Sequence, residues 1–224
     1  LLSGDHGRIA RARRDQALAR TVERRPDMIR ALDPAGLDRE DRALLARLGW
    51  AVPAGADHPV PVRLRNATAD DAHALAELAA RTFPDACGNV IDPEFLERHI
   101  ATNLVPELFA TWADDDRVDL ILAELLEPPS LRDGNLEGKA STSTAPVLVG
   151  YAAVLREEAD SDGEQPHGID PRPACVRPAG GEVVGELSKV YVDAAMRGSG
   201  LTPALMDAVT RQAGAHGTDL LWLG

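Results

Sequence analysis

The spacing of apolar residues divides the chain into a helical beginning and a longer part that mixes strands and helices. Residues 5–24 are polar, with apolar positions at helical spacing, and Pro26 interrupts them before a short second helix that reaches Leu32. Asp38 is placed to cap a third helix that ends near Gly49. The first fifty residues therefore predict a small all-helical segment.

Beyond residue 60 the pattern alternates between strands and helices. Helices are predicted after Thr68, after Asp92 and from about Pro203 to Ala213, and the predicted strands cover 60–65, 118–126, 147–155, 182–192 and 219–224. Three consecutive strands favour antiparallel pairing, and the last strand–helix–strand favours a parallel pair. The expected fold class is α/β, with a mixed, mostly antiparallel sheet flanked by helices and preceded by the helical segment.

A proline-rich stretch separates the two parts. Ala51 to Pro61 contains three prolines and few periodic apolar residues. We therefore expect a helical domain over 1–50, a linker over 51–59 and a second domain over 60–224. Two further stretches, 127–146 and 157–181, are too polar for a core and are predicted to be solvent-exposed loops.

Charge differs sharply between the two parts. The 224-residue chain has a net charge of −12, yet residues 1–50 carry 11 arginines against 8 acidic residues. This balance excludes a uniformly basic nucleic-acid binder and suggests different partners for the two parts. The apolar pattern offers neither a membrane span nor a secretory signal, two distant cysteines and scattered histidines predict no metal site, and a cytoplasmic location is expected.

Both ends look cut. Residue 1 is leucine, and the last residues, Asp219 to Gly224, resemble a buried strand with nothing to cover it. We expect the chain to be an internal fragment of a longer protein.

The stretch from Arg197 to Thr202 is the most informative one for chemistry. A strand runs into Arg197-Gly-Ser-Gly-Leu-Thr202 and then directly into a helix. Glycines allow close approach to a ligand, and the first amides of a helix attract anions. The stretch thus predicts a pyrophosphate cradle, with a purely structural turn as the open alternative. The dinucleotide fingerprint is not met, because Pro203 stands where its third glycine belongs.

This stretch resembles the acetyl-CoA-binding segment of the GNAT superfamily of N-acetyltransferases, and the resemblance extends over roughly 60–224. Arg197, Gly200 and Thr202 take the motif positions, although glycine or alanine is usual where Thr202 stands. The resemblance implies a GNAT-type sheet, acetyl-CoA as cofactor and pantetheine pairing along the strand. The implied cofactor-binding residues are Val190, Tyr191, Val192, Arg197, Gly198, Ser199, Gly200, Leu201 and Thr202.

Glu186 is the candidate general base that the resemblance implies. It lies eleven residues before Arg197, and strand alternation predicts that it shares a face with Ser188, Val190 and Val192. A carboxylate there would deprotonate an unidentified amine, either a small molecule or a peptide, for attack on the thioester. The leaving-group tyrosine of the family would lie beyond the end of this chain. A solvated strand carboxylate is the alternative.

Residues 1–50 resemble the C-terminal part of bacterial tRNA (guanine-N1)-methyltransferases. The matching motifs are Ser3-Gly-Asp-His6, the Arg13-Arg14-Asp-Gln-Ala-Leu18 helix and the run from Arg20 to Asp27. The family uses S-adenosylmethionine, bound by a part that would precede residue 1, and forms homodimers. The implied tRNA-binding residues are Ser3, His6, Arg8, Arg13 and Arg14, with a solvated arginine face as the alternative.

The preferred function is acetyl-CoA-dependent N-acetyl transfer by a domain fused to a tRNA methyltransferase. In the alternative, tRNA guanine-N1 methylation is the main activity of the longer protein. The GNAT-like domain would then be a non-catalytic acyl-CoA-binding regulatory module.

Overall fold

The computed structural model describes residues 5–87, 91–129, 146–157 and 183–223. The helices are α1 (His6–Arg24), α2 (Pro26–Arg30), α3 (Arg39–Arg47), α4 (Ala72–Cys87), α5 (Pro93–Asn103), α6 (Pro106–Asp114) and α7 (Leu201–Ala215). The strands are β1 (Trp50–Ala51), β2 (Val60–Asn66), β3 (Val118–Leu125), β4 (Val147–Glu157), β5 (Val184–Val192) and β6 (Leu220–Leu223). Most of each predicted loop, 130–145 and 158–182, lies outside the described residues.

The strands form one sheet in the order β1-β2-β3-β4-β5-β6. Strand β5 pairs antiparallel with β4 and parallel with β6, as the strand order along the chain predicts. The expected α/β class, with a mixed sheet, flanking helices and a helical beginning, is confirmed. Within the described ranges, no helix is long and apolar enough to cross a bilayer.

The chain folds as two compact units, each assembled from separate segments of the sequence. Unit 1 comprises residues 1–63, 124–147 and 194–204, and unit 2 comprises residues 64–123, 148–193 and 205–224. The predicted domain limits at 51–59 stay a prediction.

The helical beginning forms the core of unit 1. Leu18 of α1, Ile29 of α2 and Leu45 of α3 pack against Trp50 and Val52. Asp38 caps α3 as predicted, and its carboxylate accepts the Asp41 amide at 2.8 Å. A matched cap and a shared apolar core therefore explain why these short helices hold together.

The predicted linker is more ordered than its composition indicates. Trp50 and Ala51 form β1 and pair antiparallel with Pro61 and Val60 at the start of β2. The two ends of the proline-rich stretch are thus joined as neighbouring strands. Prolines tolerate this placement because they lie near a strand end, where a missing amide costs little.

Unit 2 is built on helices packed against one face of the sheet. Leu75 and Leu78 of α4 and Phe109 of α6 contact Leu122 of β3 and Tyr151 of β4. The predicted cap at Thr68 is present, and the helix α6 was not anticipated from the sequence. Pro106 at its first turn and Phe109 in the core are the local signals that could have found it.

Candidate functional site

The turn from Arg197 to Leu201 has the conformation that an anion cradle requires. Gly198 and Gly200 have φ angles of +74° and +87°, which side chains other than glycine rarely adopt. Helix α7 starts immediately afterwards, at Leu201. Within the described chain, the amide hydrogens of Gly198, Gly200 and Thr202 have no acceptor. The turn therefore presents unused donors at the positive end of a fifteen-residue helix.

The side chains of this turn divide into buried and exposed ones. Ser199 and Leu201 are fully buried, and the Ser199 hydroxyl accepts the Leu201 amide at 3.2 Å. Arg197 and Thr202 are exposed. Ser199 and Leu201 thus hold the turn in shape, whereas Arg197 and Thr202 are the side chains that face solvent and can meet a ligand.

Gly200 also lies against the backbone of α3, within unit 1. A Cβ at this position would lie 2.2 Å from the Arg42 carbonyl oxygen and 2.7 Å from the Ala43 nitrogen. A Cβ at Gly198 would meet nothing within 4 Å. The glycine at 200 is therefore required by packing as well as by conformation, whereas Gly198 borders open space.

The register of β5 corrects the predicted position of Glu186. Ala153 pairs with Lys189 and Val154 with Leu187, so Ser188 is an extra residue in a β-bulge. The bulge reverses the alternation, and Glu186 shares its face with Lys189 and Tyr191. The prediction that Glu186 shares a face with Ser188, Val190 and Val192 by strict alternation is wrong.

The Glu186 face of β5 carries a partly buried lysine and aromatic rings. Burial lowers the pKa of Lys189, although the Glu186 carboxylate opposes the shift. Tyr191 stacks on Tyr151 with ring centroids 5.6 Å apart and meets Phe83 edge-on at 6.4 Å. Burial raises the pKa of Tyr151. The face next to Glu186 is thus suited to shielding a reacting group from water.

Two arginines of α1 are engaged inside unit 1. Arg14 donates to both carboxylate oxygens of the fully buried Asp41, and Arg11 donates to one at 2.7 Å. Burial favours the neutral acid, but these hydrogen bonds outweigh it and lower the pKa of Asp41. Arg14, one of the predicted tRNA-binding residues, therefore has a structural role that the sequence did not indicate.

The other predicted tRNA-binding residues are less constrained. His6, Arg8 and Arg13 are exposed on α1, and Ser3 lies outside the described residues. Their role in RNA binding stays a prediction.

Unit 2 contains a buried polar cluster that the sequence pattern did not predict. The fully buried Asp119 accepts from Gln212 at 3.1 Å and contacts His216 Nδ1 at 2.7 Å. Arg156 Nε lies 3.1 Å from its second oxygen. The sequence feature that could have indicated this cluster is an aspartate inside the apolar strand Val118–Leu125. No group of three or more His, Cys, Asp or Glu residues suited to a metal occurs among the described residues.

Comparison with protein families gives one match over part of the chain. A model described as "T3SS (YopN, CesT) and YbjN peptide-binding chaperone 3" matches residues 4–102, which is less than half of the chain.

Curated relatives match a shorter piece of the chain. A tRNA (guanine-N(1)-)-methyltransferase of Bifidobacterium longum subsp. infantis is 61% identical over 59 residues, 26% of this chain and 21% of that protein. The corresponding enzyme of Salinispora tropica is 68% identical over 53 residues, 24% of this chain and 21% of that protein. The chain thus spans about a fifth of the length of these relatives.

The solved structures to which the chain is similar include two acetyltransferases. The PaiA N-acetyltransferase of Thermoplasma acidophilum, in complex with coenzyme A, has a TM-score of 0.46 at 11% identity and covers 70% of this chain and 74% of its own. A predicted acetyltransferase of Clostridium acetobutylicum, with acetyl-CoA, has a TM-score of 0.45 at 13% identity, with coverages of 73% and 80%.

Proposed function

We propose that the chain binds acetyl-CoA through the turn Arg197–Thr202 and transfers its acetyl group to an amine. The observation that carries the proposal is the pair of left-handed glycines at the start of α7, where three amides have no acceptor among the residues that the structure describes. A pyrophosphate is the anion that such amides suit, and the exposed Arg197 adds a permanent cation. The resemblance of this segment to GNAT enzymes supports coenzyme A as the source of this pyrophosphate.

Strand β5, in unit 2, carries the residues that the resemblance assigns to the reaction. A bulge leaves the backbone groups of its extra residue outside the ladder, so the Ser188 amide is the candidate donor to the thioester oxyanion. Glu186, two residues before the bulge, is the candidate base that removes a proton from the amine. Acetyl-CoA supplies the activated acyl group, and the chain positions it and accepts the proton.

A substitution at Gly198 tests the cradle, because an added Cβ there meets no atom within 4 Å. Aspartate and asparagine both tolerate a positive φ angle and have nearly the same shape. Gly198→Asp places a negative charge beside the pyrophosphate, so we expect calorimetry to show acetyl-CoA binding weakened at least about tenfold. The matched Gly198→Asn variant should retain most of the affinity. Equal affinities of the two variants would contradict an anion site at this turn.

Turnover separates an enzyme from a binding module. Release of free coenzyme A in the presence of candidate amines would establish acetyl transfer. Binding of acetyl-CoA without turnover on any amine tested would favour the alternative, a non-catalytic regulatory module.

A second candidate function is contact with tRNA through α1. The identity of 61% over 59 residues to a tRNA methyltransferase favours it, and His6, Arg8 and Arg13 are the exposed residues available. Phosphate contacts by arginine weaken with salt, so tRNA binding should fall as salt rises and fall further in Arg8→Gln/Arg13→Gln. Methylation with S-adenosylmethionine belongs to the longer protein in this proposal. Unchanged tRNA binding by the double variant would exclude these two arginines.

A further inference from the structure

Arg39, Ala43 and Arg47 form a stripe along one side of helix α3, and the middle of this stripe contacts the start of α7 within unit 1. Ala43 is small, and its backbone lies against Gly200. Arg39 and Arg47 lie four residues before and after it, so each is displaced by about 6 Å along the same side of the helix. Arg39 and Arg47 therefore lie on the same side of α3 as Ala43, one helical turn before and after it.

The same stripe lines a cavity of about 470 Å³. Arg39, Ala43 and Arg47 line it together with Pro203 in the first turn of α7. The complete lining is Arg11, Asp15, Arg39, Glu40, Ala43, Leu44, Arg47 and Pro203. The two arginines and Pro203, in the first turn of α7, thus border one space that is large enough for part of a nucleotide.

The charged residues of this cavity include three guanidinium groups. Its lining holds three arginines against two acidic residues, Asp15 and Glu40. Arg11 contacts both of these carboxylates, forming an ion pair with Asp15 and lying 3.6 Å from Glu40. Arg11 also pairs with Asp38 and the buried Asp41, so it has a structural role. Guanidinium groups such as those of Arg39 and Arg47 suit a ligand that carries more than one phosphate.

We propose that Arg39 and Arg47 bind the 3′-phosphate at the nucleotide end of coenzyme A. The inference rests on the proposed function, because it assumes that the pyrophosphate lies at the Arg197–Thr202 turn. Coenzyme A carries a third phosphate on its ribose, beyond the reach of amides that already hold the pyrophosphate. Guanidinium groups bind such a phosphate with two parallel hydrogen bonds. The helical beginning of the chain would then contribute directly to cofactor selection.

Dephospho-coenzyme A, which lacks only the 3′-phosphate, is the probe that isolates this contact. We expect the full 224-residue chain to bind coenzyme A roughly tenfold or more tightly than dephospho-coenzyme A in calorimetry. The double variant Arg39→Gln/Arg47→Gln should bind coenzyme A only as tightly as dephospho-coenzyme A. Its affinity for dephospho-coenzyme A should equal that of the wild type. The single variants should each lose part of the preference. Arg24→Gln, at an exposed residue near the end of α1, is the matched control and should keep the preference.

Each other outcome has a distinct meaning. If the wild-type chain binds neither ligand, the proposed function fails and the inference falls with it. If it binds both equally, or if the double variant keeps the preference, the inference fails and the proposed function stands. If the double variant loses tRNA binding and keeps its preference for coenzyme A, the stripe belongs to an RNA interface and the inference is overturned.

Discussion

Gly200 lies directly on the backbone of Arg42, so a Cβ at position 200 would lie 2.2 Å from the Arg42 carbonyl oxygen. Both residues belong to unit 1, although they are far apart in the chain. The contact joins the turn before α7 to the helix α3. A glycine of the candidate phosphate-binding turn is therefore also a packing residue of the helical beginning.

This contact predicts different costs for alanine at two neighbouring glycines. In Gly198→Ala the added Cβ meets no atom within 4 Å. The free energy of unfolding should therefore fall only by the strain of a left-handed residue, about 1–2 kcal/mol. Gly200→Ala adds a collision with helix backbone, which should cost about 1–3 kcal/mol more. Urea unfolding followed by circular dichroism measures both. Equal losses of stability would show that α3 does not press on Gly200.

The features that the sequence predicted well are local ones. The caps at Asp38 and Thr68 depend on residues three positions away, so their spacing alone identifies them. The bulge at Ser188 depends on the register with β4, and strict alternation therefore placed Glu186 on the wrong face. The contact between Gly200 and Arg42 is a tertiary one, and no local pattern indicates it.

Glu186→Gln tests the proposed base. The amide keeps the shape of the side chain but cannot accept the proton of the amine, so turnover should fall roughly 10²-fold or more. The dissociation constant of acetyl-CoA should stay within about twofold, because the carboxylate acts on the amine and not on the phosphates. Steady-state kinetics and calorimetry on the same preparation measure the two effects.

The control for this variant is Glu77→Gln, at an exposed residue of α4. It changes the net charge by the same amount and should leave turnover unchanged. Glu186→Gln with wild-type turnover would remove Glu186 from the mechanism, whereas a loss confined to cofactor affinity would assign it a binding role.

The pair Arg65 and Asp71 predicts a pH dependence of stability in unit 2. Hydrogen bonds from Arg65, aided by those from Thr68 and opposed by burial, lower the pKa of Asp71 to about 2. A carboxylate whose pKa is lowered by folding stabilises the folded state at pH values above its unfolded pKa, which is near 3.9. This contribution is lost as the pH falls toward 2. The shift corresponds to about 2 kcal/mol, since both side chains are less than a third exposed.

Thermal unfolding between about pH 7 and pH 2 measures this contribution. Asp71→Asn should lower stability at neutral pH and lose less stability than the wild type on acidification. The neighbouring exposed Asp70→Asn should follow the wild-type profile. Identical profiles for wild type and Asp71→Asn would show that the pair contributes nothing.

The cluster around Asp119 predicts a large cost for removing a single partner. Asp119 is fully buried, and its charge is balanced by Arg156 and supported by Gln212 and His216. Arg156 also donates to the carbonyl of Asp116, so the cluster ties β4 to the segment before β3. Taking away one charge leaves the other buried without compensation, which typically costs about 3–5 kcal/mol.

A double-mutant cycle with Asp119→Asn and Arg156→Gln measures this coupling by urea unfolding. Each single variant should lose several kcal/mol, and the double variant should lose clearly less than their sum, because it removes both charges together. Asp116→Asn is the control, since its carboxylate is exposed and its carbonyl remains available to Arg156. Additive losses would show that Asp119 and Arg156 act independently, despite the 3.1 Å between Nε and Oδ2.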